Sequence, residues 1–266
     1  MKKKKLKKIL TGIAVALVSV IVIFAIAVFA IWHNEIASIA SIRMLVEAKE
    51  ENKSAPVYIM DVKGNYYFDD FIEQGGVSSD AELIDFIVGN ITKGLVPMNI
   101  KSKNIGCSSF TAQDKQGNRY FGRNYDFSTT TGIIVRTNPT DGRYASISSA
   151  DLQFIGITDG AELDSISKKI LCLAAPFIPL DGINEKGVAC GIYMTYQGPE
   201  GNVAATNQQT DKPDITSTTM LRMILDYAAS VDEAVALVEK YDLHDSADTS
   251  FHYMVADSTG KSAVLE

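Results

Sequence analysis

The chain is poor in the residues that most often carry chemistry. Its 266 residues include three cysteines (Cys107, Cys172, Cys190), three histidines (His33, His244, His252) and one tryptophan, Trp32. Three cysteines cannot all pair, and without a C-x-x-C spacing there is no ligand set for a zinc site. Cys172 and Cys190 are open to pairing or to burial as two free thiols, the second being the expectation. Cationic side chains are also scarce where it matters. Six of the 25 Lys and Arg residues lie within the first eight positions, leaving 19 basic against 32 acidic side chains in the remainder. A body with that deficit has no electrostatic footprint for nucleic acid. No internal repeat is visible, and the 46% hydrophobic content is that of an ordinary globular protein.

What is present begins with Lys2-Lys3-Lys4-Lys5-Leu6-Lys7-Lys8, followed by an uncharged run from Ile9 to Trp32. A helix of that length crosses a hydrocarbon core of about 30 Å at about 1.5 Å per residue. It is longer than the apolar core of a cleaved leader, so an uncleaved single-pass anchor is the reading. Ala27-Val28-Phe29-Ala30 keeps a cleavage site as the alternative. The lysines place residues 1–8 in the cytoplasm and the rest of the chain outside, at the cell membrane.

Helical spacing of Ile36, Ile39, Ile42, Leu45 and Val46 predicts a juxtamembrane helix over residues 33 to about 50. Val57–Met60 and Tyr66–Phe68 read as short strands. Ser79-Asp80-Ala81-Glu82 is a capping box that opens a helix ending near Gly94. Residues 106–127 read as a hairpin, with strands from Cys107 to Gln113 and from Arg119 to Phe127. A turn centred between Gln116 and Gly117 sets Asp126 opposite Cys107 and Arg123 opposite Phe110. Thiol, carboxylate and guanidinium then share one end of the ribbon. Residues 133–135, 145–149, 152–157 and 188–196 read as further strands, and 198–214 as a long loop. Helices follow over about 217–229 and 231–241, then a last hairpin, Phe251–Ala256 with Ser262–Leu265. The order is α+β.

Cys107 stands out among the cysteines because of its neighbours. Gly106 has no Cβ and leaves its carbonyl open to attack by the next side chain. An α-amine freed at position 107, with an ordinary value near 8, can serve as base for its own thiol. Arg123 would stabilise the thiolate.

The motifs Gly106-Cys107-Ser108-Ser109-Phe110-Thr111-Ala112 and Gly122-Arg123-Asn124-Tyr125-Asp126-Phe127 resemble the choloylglycine hydrolase and penicillin V acylase group of N-terminal-nucleophile amidohydrolases. The likeness continues through Asp181-Gly182-Ile183-Asn184-Glu185-Lys186-Gly187 and His252-Tyr253-Met254-Val255-Ala256-Asp257. It covers about 107–266, with Cys, Arg and Asp at the +16 and +19 offsets, and is looser upstream, towards membrane-anchored members. The resemblance implies a four-layer αββα sandwich and hydrolysis of a small-molecule linear amide, without cofactor or metal. It implies Cys107 as nucleophile, Asp126 as holder of the α-amine, and Arg123 as the residue that orients the nucleophile and helps bind substrate. Tyr193 would contribute to the oxyanion hole, Met194 being the adjacent alternative. It also implies processing between Gly106 and Cys107, which makes 33–106 a propeptide-like region and 107–266 the hydrolase domain. The family's later oxyanion Asn is not found, so a chain truncated at its C-terminus is expected.

Rival readings are acyl transfer through the same acyl-enzyme, a papain-like thiol–imidazole pair using His252, and a non-catalytic surface protein whose 33–106 segment stays in place over Cys107. Cavity walls are expected from 129–160 and 195–215. Oligomer formation is left open.

Overall fold

The computed structural model describes residues 2–49, 55–98, 106–126, 130–157, 160, 162–195 and 203–266. It opens with α1 (Lys2–Ser41), the one helix in the described residues long and apolar enough to cross a membrane. Its backbone kinks at Trp32 (φ −120°, ψ 24°). Beyond the kink the helix joins the folded body, and the Trp32 indole donates to the Ile91 carbonyl at 3.0 Å. The Ser38 hydroxyl receives the Lys63 amide at 2.8 Å, and Ser41 receives that of Asp61 at 2.9 Å. The juxtamembrane helix therefore stops at Ser41. Arg43–Val46 is instead a strand, β1, because it pairs antiparallel with β2 (Val57–Asp61), a partner that helical spacing cannot reveal.

Tyr66 and Tyr67 form no strand. Both have positive φ (40° and 58°) and lead into the short helix α2 (Phe68–Glu73). Half of the expected capping box forms at the start of α3 (Asp80–Asn90): Ser79 Oγ accepts from the Glu82 amide, while the Glu82 carboxylate accepts from the Ser78 amide instead of that of Ser79. Strands β3 (Gly106–Gln113) and β4 (Arg119–Asp126) form a two-stranded ribbon. Then come β5 (Gly132–Thr137), β6 (Ser146–Asp151), α4 (Ile166–Leu171), β7 (Asp181–Asn184) and β8 (Ala189–Met194). The apolar run 152–157, expected as a strand, begins with a 3-10 turn over Leu152–Ile155. Asp151 caps its amides, and Gly156 closes it at φ 87°. Last come β9 (Asp214–Thr216), α5 (Ser217–Tyr227), α6 (Val231–Val238), β10 (Asp242–His244), β11 (Phe251–Ala256) and β12 (Ser262–Leu265).

One eight-stranded sheet, in the order β1-β2-β5-β6-β7-β8-β11-β12, organises the molecule. One face, carrying Ile133, Val135, Cys190, Ile192 and Val255, is buried in a core shared with Leu221, Ile224 and Leu225 of α5 and Val231 and Ala234 of α6. Cys172 and Cys190 are buried free thiols, and burial pushes both up to about 12. The other face carries Asp181, Ile183, Gly191 and Met254, and the ribbon lies against part of it. Ile147 and Ile183 on that face stay half-exposed. Helices, large sheet and small ribbon thus follow one another in the order of the expected sandwich, and a second helical layer is not seen among the described residues.

The segment before Cys107 is part of this body. β2 pairs in parallel with β5, from Val57↔Gly132 to Asp61↔Arg136. Tyr58, Met60, Phe68, Phe71, Leu83, Phe86 and Ile87 belong to the same core cluster as Phe177 and Leu221.

Candidate active site

The ribbon pairs Gln113 with Arg119, so its loop has five residues, Asp114–Asn118, centred on Gln116. Asp114 fixes that length by accepting from the amides of Gln116 (2.9 Å) and Asn118 (2.8 Å). Gly117 takes φ 89°, which only glycine adopts freely. This corrects the register expected from the sequence by one residue. Tyr125, not Asp126, lies opposite Cys107, and Ser109 lies opposite Arg123.

A one-residue slip exchanges the two faces of a strand. In the observed register Cys107, Ser109, Arg123 and Tyr125 share the face turned to the large sheet. Asp126 shares the opposite face with Asn124, whose amide donates to it at 2.6 Å. The guanidinium therefore meets the thiol, with Arg123 Nη2 3.3 Å from Cys107 Sγ. Asp126 is instead the cross-strand partner of Gly106, beside the peptide bond that precedes Cys107.

Arg123 is held from several sides. Nη1 donates to the Leu180 carbonyl and, at 2.9 Å, to the Asp181 carboxylate, while Nη2 also donates to the Ile192 carbonyl at 2.6 Å. Its side chain is 5% exposed. Burial works against the cation, but the Asp181 charge and the thiol raise Arg123 above its ordinary value. The other oxygen of Asp181 accepts from Ser149 Oγ, and Ser149 faces Asp181 across β6 and β7. Sequence reasoning placed Asp181 only inside a motif. Its signal was the motif's place at the start of a strand, β7.

Tyr193 completes this side. Its ring lies 5.0 Å from the Arg123 guanidinium, and burial raises its phenol above the ordinary value. The neighbouring Gly191 is required here: a Cβ on it would come within 2.8 Å of the Tyr193 hydroxyl and 3.3 Å of Arg123 Nη1. His252 stacks on Tyr193 at 6.0 Å between centroids, and its Nδ1 lies 4.0 Å from Glu266. The papain-like pairing has no geometric support in those contacts. An open cavity of about 350 Å³ adjoins the site between ribbon and sheet. Its walls include Phe121, Ile134, Ile147 and Ile183, and Arg123 and Asp181 form its polar end. Ile134 and Ile147 come from the 129–160 stretch expected to supply walls. Of the 195–215 stretch also expected there, residues 196–202 lie outside the described residues, and 195 and 203–215 do not line this cavity.

Comparison with known proteins adds to this picture. A crystal structure of a variant of conjugated bile acid hydrolase from Clostridium perfringens is similar at 22% identity and a TM-score of 0.38, covering 60% of this chain and 47% of that one. A second variant of the same hydrolase gives 20% and 0.31, with 64% and 42% covered. Penicillin V acylase from Agrobacterium tumefaciens gives 15% and 0.31, with 64% and 41% covered. The chain thus spans less than half the length of these solved structures. No curated protein matches it. The model of one family, the linear amide C-N hydrolases of the choloylglycine hydrolase family, matches residues 107–266, more than half of the chain. The chain belongs to the choloylglycine hydrolase family of linear amide C-N hydrolases.

Proposed function

We propose that the chain is a membrane-anchored, extracytoplasmic amide hydrolase whose nucleophile is Cys107, exposed as an N-terminal residue by cleavage of the Gly106–Cys107 bond. The observation that carries this reading is the 3.3 Å contact between Arg123 Nη2 and Cys107 Sγ, with Asp126 paired across the ribbon from Gly106. In the maturation step Cys107 Sγ attacks the Gly106 carbonyl carbon and the C–N bond breaks. The resulting thioester is hydrolysed, leaving a carboxylate on Gly106 and an amine on Cys107.

That amine then takes the thiol proton, as a positioned general base within the same residue. Asp126 holds the ammonium, and Arg123 holds the thiolate through a charge-assisted contact. The thiolate attacks the amide carbonyl carbon of a small-molecule substrate. Collapse of the tetrahedral intermediate passes a proton to the leaving amine and leaves an acyl thioester, which water releases as the acid. Tyr193 is placed beside Gly191 and Arg123, where its hydroxyl can face a developing oxyanion. The half-apolar cavity suits an acyl group that is largely hydrocarbon. An amine acceptor in place of water turns the same acyl-enzyme to acyl transfer. The anchor reading rests on α1, with residues 1–8 in the cytoplasm.

Intact-mass analysis and N-terminal sequencing of the full chain test the proposal. A fragment starting at Cys107, lost in Cys107→Ala together with amide hydrolysis, is expected. A chain never cut there, with hydrolysis surviving Cys107→Ala, refutes it. In the same preparation, resistance of the body to alkaline extraction from membranes and its digestion by externally added protease check the topology.

One observation bears on the rival reading of a permanently covered nucleophile. β2 is a strand of the large sheet, so cutting one bond does not remove the segment that carries it.

A further inference from the structure

Asp181 has no part in the scheme above, yet it is the most constrained carboxylate near the thiol. Its Oδ2 accepts from Arg123 Nη1 at 2.9 Å, and its other oxygen accepts from Ser149. The result is a continuous line of contacts, Ser149 to Asp181 to Arg123 to Cys107, running from the middle of the large sheet into the ribbon. A guanidinium is a flat fork of five N–H donors, so fixing some of them fixes the direction of the rest. The Leu180 and Ile192 carbonyls fix the ends of the fork, and Asp181 supplies the opposite charge.

We infer that Asp181 is a positioning residue, which acts on Cys107 through Arg123: it orients the guanidinium so that one Nη2 hydrogen points at Sγ, and it offsets part of the positive charge felt there. The inference rests on Cys107 being the nucleophile. Among the described residues, the titratable groups that face the thiol are Arg123 and Tyr125 from β4, Asp181 from β7 and Tyr193 from β8. His252 of β11 stands behind Tyr193. Burial holds both phenols in the neutral form. Among these side chains Arg123 and Asp181 are therefore the charged pair that acts on the sulfur, in addition to the α-amine of Cys107 itself once it is freed.

The test uses the full chain and a probe that reports on the sulfur without turnover. The rate of Cys107 alkylation by iodoacetamide, read by peptide mass spectrometry, is followed against pH. Wild type, Asp181→Asn, Asp181→Glu and Ser149→Ala are compared, with Tm measured for each. In Asp181→Asn the two carbonyls still hold the guanidinium while its counter-charge is gone. The alkylation profile should then move to lower pH, by roughly half to one unit. Asp181→Glu restores the charge and should bring the profile back towards wild type. Ser149→Ala keeps the charge, removes one anchor of the carboxylate and leaves the fold intact. Loosening the guanidinium should weaken its contact with the thiolate, move the profile to higher pH and slow alkylation several-fold near neutrality, and this arm holds even if Asp181→Asn fails to fold.

An Asp181→Asn profile that superimposes on wild type, with only Tm lowered, makes the role structural and overturns the inference. So does an unchanged alkylation rate in Ser149→Ala. A wild-type Cys107 that stays unlabelled at every pH refutes the nucleophile reading and this inference together, whereas labelling without an Asp181 effect refutes this inference alone.

Discussion

The Tyr66 hydroxyl donates to the Asp226 carboxylate at 2.6 Å, across 160 positions of sequence, in a fully buried setting. It joins the part of the chain before Cys107 to the helix packed beneath the large sheet. Arg143 strengthens the joint, with Nη1 3.1 Å from the same Asp226 oxygen and Nη2 2.7 Å from the Asn65 carbonyl. Arg222, also fully buried, lies 3.1 Å from the other Asp226 oxygen.

Cleavage at Gly106–Cys107 is therefore expected to leave the two pieces together. After processing they should co-elute in size-exclusion chromatography and separate only in denaturant. Tyr66→Phe removes one buried charge-assisted hydrogen bond and should cost roughly 1–3 kcal/mol, measured by chemical denaturation. Pieces that part under native conditions count against this shared body.

Gly191→Ala tests the crowding beside the thiol. The added methyl meets the Tyr193 hydroxyl and the Arg123 guanidinium, both within 3.3 Å. Overpacking of this kind costs about 1–3 kcal/mol. Displacement of the guanidinium by about 1 Å should lower turnover by roughly 10²-fold. Amide turnover by the full chain together with thermal melting measures the two effects separately. A variant with wild-type kinetics and Tm refutes the packing argument.

Asp141 provides a pH test away from the site. The Arg143 guanidinium, bound through Nε and Nη2, holds its carboxyl down at about 2 from an ordinary 3.8. A depressed carboxylate stabilises the fold above its unfolded value and loses that contribution as acid protonates it. The Tm difference between wild type and Asp141→Asn should be full near neutrality, shrink below about pH 4, and vanish near pH 2. A difference independent of pH contradicts the pairing.

How much of this could be read from the sequence varied with what each feature depends on. The ribbon, the helix cap at Ser79 and the closing hairpin depend on neighbouring residues, and they were legible. The ribbon's register depends on how many residues Asp114 gathers into the loop, and composition does not count them. Arg43–Val46 became a strand because β2 lies beside it, and Tyr66–Phe68 left the extended state because Asp226 and the Phe177 ring receive the Tyr66 side chain. At the site, Cys107, Arg123 and Asp126 were visible by offset. The resemblance implied separate roles for Arg123 and Asp126, but their placement, Arg123 at the sulfur and Asp126 opposite Gly106, followed only from the register, and that of Asp181 only from the pairing of β6, β7 and β8.

The grip on Arg123 has a consequence for timing. The guanidinium that meets Cys107 is fixed by carbonyls of Leu180 and Ile192, residues the ribosome adds long after Cys107. A nascent chain that has reached only the ribbon holds the thiol and Arg123 but not the carbonyls that fix the guanidinium. The order of synthesis thus acts as a delay line, withholding the reactive arrangement until the sheet beneath it exists.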